Sequence, residues 1–576
     1  MIRRIRLIVL IAGLIVSVYS CGKLHTQHQF ESVAESICAS YLSFHPVNAT
    51  MLGDYSYNNQ LDDCNTKAVQ SRIHQLKTFQ LKLKSLDYTE LDSTLRIDFT
   101  IVDRAVRNEL WELETVVDRK NNPCLYSHTL YDAIYGIINN DGLPVDVRCE
   151  YLFSRLRQIP RFLQTAQSQL SAARDIQLKE ADDELAALQL MMSDAIPQIA
   201  IKSTGLHDSL VAVTRESLNE ITFFRTWLRQ YADSLSRPER LNIEQYRAIL
   251  EHRYSLSEDI FTLQKQFVSK DSSIHLQIDD ALDNVYHTFY RRRRDLPDPD
   301  ELLKKVLERI ENQYVQDDLL LVTAQDYWLN IQQFLDVKMI FPSYNVDDIL
   351  IQRANPWERN SELVWLVSSG ALSHLSQNKL LIKSMPAGQN WYGQLAFLRQ
   401  LNRTALHVIV ASQLLPGKLL IEKQLQSYPS GVRQTFPDQS LLSGWPLMAL
   451  DILCNTGYDG YSSQFRFGVL LLKLRTISCA LADIKYHSDG MERNVVQQWL
   501  MDQAYLKENQ AAEYMNDILL NPGKYVVPAW GYLTIQKLYQ QARVREGNLF
   551  NRIKFIDQLT SKGPIPLSLI YDRFQN

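Results

Sequence analysis

Apolar residues recur at helical spacing along most of this chain, and this periodicity constrains its fold more than any other feature. Leu302, Val306 and Ile310 form one such face, preceded by Asp298 and Pro299. Aspartate and proline in those positions favour a helix N-cap and a first helical turn. Residues three or four positions apart share one side of a helix and can be buried together. The sequence therefore predicts a mainly α-helical protein.

Other segments predict further helices, two strands and a long loop. Two more helical faces comprise Leu152, Leu156, Ile159 and Leu163, with Pro160 as a kink, and Leu218, Ile221, Leu228 and Tyr231. Residues 336–341 and 363–368 carry β-branched residues between turn signals, which is typical of strands. Residues 427–445 are rich in proline and glycine, and we expect a long loop there. Loops of that length are often functional.

Composition excludes some classes of protein. The 576 residues are 45% hydrophobic and 22% charged, with a net charge of −4. This is the composition of a globular protein, whereas nucleic-acid-binding domains usually carry a basic excess. The basic run 291–294 lies beside acidic residues and is interpreted as a neutralised, solvated surface. Because no linker or internal repeat divides the chain, we expect residues 31–576 to form a single domain with a small β-sheet.

The N-terminus has the pattern of an export signal. Arginines at positions 3, 4 and 6 precede an apolar stretch over residues 7–18. A basic segment, a short apolar segment and then a small residue are typical of a secretory signal peptide. The stretch is shorter than the roughly 20 apolar residues of a membrane-spanning helix. We expect residues 1–20 to be a lipoprotein signal peptide.

Cys21 follows Val18 and Ser20 in an arrangement that resembles a bacterial lipobox. In such a signal the cysteine becomes the first mature residue and carries acyl chains such as palmitate, which anchor a protein stably to membrane lipid when several are present. We expect residues 21–30 to be a tether and the protein to be exported to the cell envelope. Gly22 gives no acidic retention signal, which favours the outer membrane, facing the periplasm. The alternative is ordinary cleavage near Ser20, with Cys21 an incidental thiol.

Six further cysteines suggest disulfides. They form three successive couples about 25 residues apart: Cys38 with Cys64, Cys124 with Cys149, and Cys454 with Cys479. An even number of cysteines in an oxidising compartment favours pairing, so we predict disulfides within these couples. Closing a loop of this size stabilises a fold by ~3 kcal/mol in the chain-entropy account. The alternative is that most are buried free thiols.

Glycines, prolines and aromatic residues near the C-terminus carry a resemblance to a known family. The residues concerned are Pro522, Gly523, Gly531, Phe555, Asp557, Gly563, Pro566 and Leu567. Their spacing matches, without a gap, a series of Pro-Gly-Gln, Tyr-x-x-Gly, Phe-His-Asp and Gly-x-x-Pro-Leu segments, and residues 46–53 resemble the matching N-terminal segment. The chain resembles the bacterial family called domain of unknown function 885 over nearly all of its mature length. The resemblance implies a helical, zincin-like scaffold in which a metal activates water for peptide hydrolysis.

The metal-binding positions implied by this resemblance hold other residues here. Ser412, Gln413 and Lys418 stand where His-Glu-x-x-Pro-Gly-His has its first histidine, its glutamate and its second histidine. Catalytic zinc needs three imidazole or carboxylate ligands and an open position for water. A carboxylate near the metal then accepts the proton of that water. An ammonium, an amide and a hydroxyl do not replace these groups.

A second motif has lost its acids as well. The segment Glu-Gly-Trp-Ala-Leu-Tyr-x-Glu of the family reads from Ser443 to Leu450 here, so that both acids are absent while Gly444 and Trp445 remain. We therefore predict no catalytic residue, no metal ligand and no cofactor. A convergence of distant ligands such as His374 or His407 would contradict this prediction.

Asp483 and His487 match an Asp-x-Gly-x-His segment of the family. Four residues apart on a helix, the carboxyl group can orient the imidazole. The functional interpretation is a ligand-orienting or acid–base pair in a pocket. The alternative is a hydrogen bond at the surface or end of a helix.

Lys418 suggests a binding role without hydrolysis. If its ammonium points into the cavity left by the metal, it could hold a carboxylate such as a peptide C-terminus. The alternative is that it extends to solvent. An open groove lined by Lys418, Trp445 and His487 would favour binding, and bulky side chains filling that space would favour a structural role.

Three functions follow from these observations. The first is a pseudoenzyme, a non-catalytic envelope lipoprotein on a metallopeptidase-like scaffold that binds peptide or protein. The second is a hydrolase with a non-standard nucleophile, Ser412 or Ser443, and His487 as base. No Gly-x-Ser-x-Gly elbow supports it. The third is a purely structural component of the envelope.

Overall fold

The structure is a computed structural model. It describes residues 2–203, 205–235, 239–290, 296–342, 349–373, 377–386 and 388–570, with side chains from residue 23 onward except that of Asp233. The side chain of Cys21, the basic run 291–294 and His374 lie outside the described residues. The predicted fold class is confirmed, because the described chain is mainly α-helical with a small sheet.

The chain begins with five helices, three of which contribute buried residues to the main hydrophobic core. They are α1 (Ile2–Phe44), α2 (Pro46–Leu52), α3 (Thr66–Lys84), α4 (Ser93–Trp111) and α5 (Asp118–Asn121), with a π-helical turn over Glu112–Val116. Side-chain caps fix where helices begin: Asn65 accepts from the Ala68 amide at the start of α3, which satisfies one of the free amides of a first turn. The predicted tether, residues 21–30, is helical as part of α1, and Phe30 at its end is buried.

The next five helices form a second hydrophobic cluster. They are α6 (Cys124–Ile138), α7 (Val145–Leu156), α8 (Ile159–Gln169), α9 (Asp175–Ala200) and α10 (His207–Leu235). The first predicted apolar face is buried and is divided between α7 and α8. The second lies on α10, where Ile221 and Leu228 are buried as predicted, whereas Tyr231 is exposed. The predicted kink at Pro160 is wrong. Pro160 stands in the first turn of α8, where its missing amide hydrogen has no helical partner to lose.

Four helices lead to the sheet. They are α11 (Ile243–Tyr254), α12 (Ile260–Phe289), α13 (Pro299–Glu311) and α14 (Leu320–Lys338). Asp298 caps α13 as predicted, its carboxylate accepting from the Glu301 amide at 3.2 Å. The predicted strand over residues 336–341 is wrong, since α14 continues to Lys338 and ends at Met339, whose φ is 46°. Buried residues repeat at helical spacing along α14, and this packing outweighs two β-branched residues at its end.

The sheet has three short strands in the order β1-β3-β2. They are β1 (Leu350–Arg353), β2 (Val364–Val367) and β3 (Lys379–Ile382). β3 pairs in parallel with β1, and antiparallel with β2, where Val364 lies opposite Ile382. The strand predicted over residues 363–368 is therefore confirmed as β2.

The remaining helices build the C-terminal part of the core. They are α15 (Trp391–Gln400), α16 (Arg403–Gln413), α17 (Lys418–Ser427), α18 (Gly431–Thr435), α19 (Gln439–Asn455), α20 (Ser463–His487), α21 (Arg493–Gln503), α22 (Glu508–Leu520), α23 (Val526–Glu546) and α24 (Arg552–Thr560). Short 3-10 turns lie at Tyr55–Tyr57, Tyr88–Glu90, Asp317–Leu319, Tyr458–Tyr461 and Gly547–Leu549.

The long loop predicted over residues 427–445 is wrong. Helices α18 and α19 occupy most of it, each started by a capping side chain: Ser430 accepts from the Arg433 amide, and Asp438 from the Ser440 amide. The glycine at 444 is used instead for a close helix crossing. A Cβ on Gly444 would lie 2.5 Å from the carbonyl carbon of Gly531 in α23, so the two helices can meet there only without side chains.

One hydrophobic cluster, here called the main cluster, extends from Phe30 to Ile570 and joins the first helices to the last. The stretch Arg403–Ser427 is long and apolar enough to cross a membrane by length and composition, yet most of it is buried inside the protein. It is divided between α16 and α17 at Pro416 and Gly417. It is therefore packed as core.

The predicted disulfides are absent, which corrects that prediction. The cysteines with described side chains are free thiols: Cys38, Cys64, Cys124, Cys149, Cys454 and Cys479. The first and third couples are separated by the packing of the core. Cys38 belongs to the main cluster and Cys64 packs against the second one. Cys454 packs against the main cluster, while Cys479 lies in a third cluster formed by the end of α20 with α21 and α22.

The middle couple shares the second cluster but has separate partners. The Cys124 thiol donates to the Gln177 carbonyl of α9 at 3.3 Å, whereas the Cys149 thiol interacts with Ser203 after that helix. Sequence spacing predicted the couples, but five of the six cysteines lie on helices that carry them into separate parts of the core, and Cys64 lies in the loop before α3.

Candidate functional site

The residues in place of the expected metal ligands lie around the junction of α16 and α17. Gln413 ends α16, Lys418 begins α17, and a cis Leu415–Pro416 peptide stands between them. The junction is tight, since a Cβ on Gly417 would lie 2.0 Å from the Ser412 carbonyl oxygen. Only glycine fits such an approach.

The side chains of Ser412 and Ser443 are bonded to the backbone of their own helices. The Ser412 hydroxyl donates to the Ile409 carbonyl at 2.8 Å, and the Ser443 hydroxyl donates to the Gln439 carbonyl at 2.6 Å. Such bonds are common for serine within helices. Neither hydroxyl bonds to His487, which lies 3.4 Å from the Ile518 carbonyl of α22 and stacks on Tyr246 of α11.

Gln413 ties this junction to the sheet. Its side-chain carbonyl accepts from the Leu366 amide of β2 at 3.1 Å, and its amide nitrogen donates to the Glu362 carboxylate at 3.0 Å. β2 is an edge strand, so the Leu366 amide has no neighbouring strand to bond on that side. Gln413 therefore completes the hydrogen bonding of a sheet edge that is unpaired but buried.

The surviving aromatic residue of the second motif is fully buried. Trp445 is 0% exposed and donates from Nε1 to the Pro416 carbonyl at 2.8 Å, with Phe341 packed edge-on against it. Leu450, which replaces an acid, is also 0% exposed within the main cluster. The corner between α16, α17 and α19 is thus filled by apolar side chains.

Lys418 is half-buried, and its charge acts on Glu422 one turn further along α17. Burial raises the pKa of the Glu422 carboxyl, and the nearby ammonium opposes that rise. With Trp445 and His487 both buried, these two residues and Lys418 do not line an open groove.

Asp483 and His487 lie together in the interior at the end of α20. The distance from Asp483 Oδ1 to His487 Nε2 is 3.9 Å, and both side chains are 0% exposed. The other Asp483 oxygen accepts from the Gly523 amide at 2.8 Å. His487 Nε2 lies 3.4 Å from the Ile518 carbonyl, and its ring stacks on Tyr246. The expected pair exists, but away from the surface.

Burial holds both members of this pair uncharged at neutral pH. It raises the pKa of Asp483 to about 8 and lowers the pKa of His487 to about 3. Desolvation disfavours the charged form of each group, and the 3.9 Å between Asp483 Oδ1 and His487 Nε2 is too long for a hydrogen bond. Asp483 Oδ1 and His487 Nδ1 have no hydrogen-bond partner in the described part of the chain.

The residues at the expected zinc site do not fit the metal. Ser412, Gln413 and Lys418 provide a bonded hydroxyl, a bonded amide and an ammonium, and Leu450 provides hydrocarbon. Zinc prefers imidazole, thiolate or carboxylate ligands. Across the residues that the structure describes, no three histidine, cysteine or acidic side chains form a group that could hold an ion. His407 is among these described residues, so it is not part of such a group, whereas His374 lies outside them.

A sequence model of bacterial proteins of unknown function, called DUF885, matches residues 46–573. This chain belongs to the DUF885 family. The match includes every motif position discussed above, and it confirms the family that the sequence resembled. The zincin-like relationship stays a prediction.

Two solved structures share the fold of this DUF885 protein. One is "a putative lipoprotein of unknown function" from Shewanella oneidensis, with a TM-score of 0.78 and 16% identity, covering 95% of this chain and 100% of that one. The other is a "putative lipoprotein" from Colwellia psychrerythraea, with a TM-score of 0.77 and 13% identity, covering 96% of this chain and 98% of that one. No curated protein matches the sequence. At these identities the similarity establishes the fold alone.

One concave site in this DUF885 protein was not predicted from the sequence. A cavity of about 600 Å³ opens beside the first turns of α16 and includes His407, Arg403 and Tyr327. His407 was considered only as a metal ligand. The nearest signal in the sequence is the turn Gly-Tyr-Asp-Gly at residues 457–460, which forms part of the wall.

Proposed function

We propose that this protein is a lipid-anchored component of the bacterial cell envelope that does not hydrolyse peptides. The anchoring half of the proposal is supported by the signal pattern ending at Cys21 and by the lipoprotein descriptions of the two structural relatives. The outer membrane, facing the periplasm, is the proposed location. The non-catalytic half rests on the corner between α16, α17 and α19.

The observation that carries the non-catalytic proposal is that the Gln413 side chain makes two hydrogen bonds. Both ends of its side chain are used to attach β2 and Glu362 to α16. A general base needs a free acceptor beside a water molecule, and an amide that donates to a carboxylate is not one. Together with the buried Leu450, this supports a pseudoenzyme in which the region of the expected metal site is filled by packed side chains.

Metal content and peptide hydrolysis test this proposal. We expect the purified mature protein to contain much less than one equivalent of zinc, manganese or nickel, to leave a mixed peptide library uncut, and to unfold at the same temperature with and without a chelator. Stoichiometric zinc, together with hydrolysis that a chelator abolishes, would overturn it.

The anchor is tested separately. We expect the full-length chain to incorporate a palmitate analogue in a Gram-negative host and to fractionate with membranes. Cys21→Ser should abolish both properties, whereas Cys64→Ser, at a half-buried thiol, should keep them. Membrane association of Cys21→Ser at the level of the original protein would contradict lipid anchoring.

The hydrolase alternative receives no support from the described contacts. Ser412 and Ser443 donate to carbonyls of their own helices, and His487 is buried beside α22. A nucleophile must share a hydrogen bond with its base. The choice between a purely structural component and a binding protein depends on a different site, described next.

A further inference from the structure

The cavity beside α16 is built from four separate parts of the chain. Its volume is about 600 Å³, and its walls are formed by α14, α16, the 3-10 turn Tyr458–Tyr461 and the first turn of α20. This volume lies within the usual size range of small-molecule sites. The motif positions of the family, from Ser412 to Lys418 and from Ser443 to Leu450, do not line it.

One wall is a fixed group of aromatic rings around His407. The His407 ring stacks on Tyr327 with centroids 4.1 Å apart and planes at 10°. Its Nε2 lies 2.7 Å from the Tyr458 hydroxyl, and Phe465 and Phe334 complete the group. Burial lowers the pKa of His407 to about 4, so this wall is uncharged. Packed aromatic rings form a rigid apolar surface for a ligand.

Two opposite charges stand at the rim, on different elements. Arg403 is the first residue of α16 and Asp459 belongs to the turn, and both side chains are exposed. Both act on the hydroxyl of Tyr327, whose pKa burial raises: Arg403 opposes the rise and Asp459 adds to it. Arg403 and Asp459 are the fully charged residues of the described lining.

The backbone holds the acid in an uncommon conformation. Asp459 has φ 52° and Tyr461 has φ 61°, on either side of Gly460 with φ 62°. Left-handed conformations are unfavourable for most residues other than glycine, although aspartate tolerates them better than tyrosine does, and their accumulation at a cavity is typical of functional sites. The turn places Asp459 at the cavity beside the helix that carries Arg403.

We propose that this cavity binds a small zwitterion, an amino acid or dipeptide with an apolar side chain. Arg403, supported by the N-terminus of α16, would hold the carboxylate. Asp459 would hold the ammonium, and the apolar side chain would lie on the rings around His407. Asn330 and Gln333 add polar groups to the lining. This inference goes beyond the proposed function and does not depend on it.

Calorimetric titration of the detergent-purified mature protein tests the proposal. The probes are L-phenylalanine and phenylalanyl-phenylalanine as zwitterions, N-acetyl-L-phenylalanine without the ammonium, and phenethylamine without the carboxylate. We expect at least one zwitterion to bind, and each singly charged analogue to bind about tenfold more weakly or worse. Absence of binding by both zwitterions up to about 10 mM would overturn the proposal.

Two variants separate the roles of the charges. Arg403→Gln should weaken binding of the zwitterion about tenfold and leave phenethylamine unchanged, while Asp459→Asn should weaken the zwitterion and leave N-acetyl-L-phenylalanine unchanged. Arg466→Gln, at an exposed arginine of α20 outside the cavity lining, is the matched control. All three positions are exposed, and circular dichroism checks the fold. Equal affinity in Arg403→Gln and the original protein would overturn the assignment.

Discussion

The side-chain carbonyl of Gln413 accepts a hydrogen bond from the backbone amide of Leu366 at 3.1 Å. Helix α16 is therefore joined to the free edge of β2 through Gln413. The contact with Leu366 requires an acceptor on residue 413, and the contact with Glu362 requires a donor.

Replacing Gln413 by methionine should destabilise the protein, because it keeps the shape of the side chain and removes its acceptor. A buried amide left without a partner costs about 1–3 kcal/mol. Gln413→Glu keeps an acceptor for Leu366 and should stay closer to the original stability, with a small penalty from the exposed Glu362. Urea unfolding measures both.

Gln498→Met is the control for that comparison, since Gln498 is an exposed helical residue bonded to Asp502 one turn away. It should change the free energy of unfolding by less than about 0.5 kcal/mol. If Gln413→Met were equally neutral, the bond to Leu366 would not be structural.

Gly444→Ala should be strongly destabilising. Its methyl group would meet the Gly531 backbone at 2.5 Å, so that α19 and α23 would have to separate. Overpacking of this kind costs typically about 1–3 kcal/mol or more. Thermal unfolding should show a lower midpoint. Gly431→Ala, where the added atom meets nothing within 4 Å, should leave the midpoint nearly unchanged or raised, and equal effects of the two variants would disprove the close crossing.

Asp483 should make stability depend on pH. Burial raises its folded-state pKa from an ordinary value of 3.8 to about 8, so its contribution is fully present below about pH 4 and is lost as the pH rises through 8. His487 has its folded pKa depressed to about 3, so its contribution is present above about pH 6.5 and is lost as the pH falls. Between pH 6.5 and 8 Asp483 therefore contributes to the change and His487 does not. His45, whose folded pKa is raised to about 9 against the effect of burial by its bonds to Asp62 and Glu109, contributes in the same window.

Asp483→Asn should remove the part of the slope that Asp483 contributes, because the amide keeps an acceptor for the Gly523 amide and has no proton to lose. The difference in unfolding free energy between variant and original should grow in favour of the variant by about 1 kcal/mol per pH unit between pH 6.5 and 8. Asp502→Asn, an exposed control, should show no such trend. Parallel curves for the original and Asp483→Asn would show that Asp483 is already ionised in the folded state.

The cysteines should react only after unfolding. Burial raises the pKa of Cys38 to about 11 and that of Cys64 and Cys454 to about 12, and the thiol form reacts slowly with alkylating agents. We expect little labelling of the native protein at pH 8 and six adducts in denaturant without reductant, as counted by mass spectrometry. If Cys21 is acylated as proposed, it adds none. Two, four or six missing adducts would indicate disulfides.

Helical periodicity predicted the fold class well, because burial of one helix face leaves a direct trace in the spacing of apolar residues. Turn residues were less reliable. Gly444 resembles a loop residue in sequence, but it serves the crossing with Gly531 inside a helix. A glycine in the sequence is compatible with a turn and with a close approach between helices, so the sequence alone does not distinguish them.

For the candidate sites as well, some features were visible in the sequence and others depend on the fold. The altered identities of Gln413 and Leu450 were visible in sequence, whereas the new partners of Gln413 on β2 were not, since they depend on tertiary packing. The cavity was missed because Arg403 and Asp459 are far apart in the chain and share no motif. Only the fold brings α16 and the 3-10 turn together.

The unbroken course of α1 affects how the protein would stand on a membrane. Once residues 1–20 are removed, an acylated Cys21 precedes the buried Phe30 by nine residues on the same helix, or about 14 Å at the helical rise. Ala34 and Ile37 continue the attachment to the core. The lipid anchor would then be joined to the folded protein by a short continuous helix. This would restrict both the tilt of the protein and its height above the bilayer.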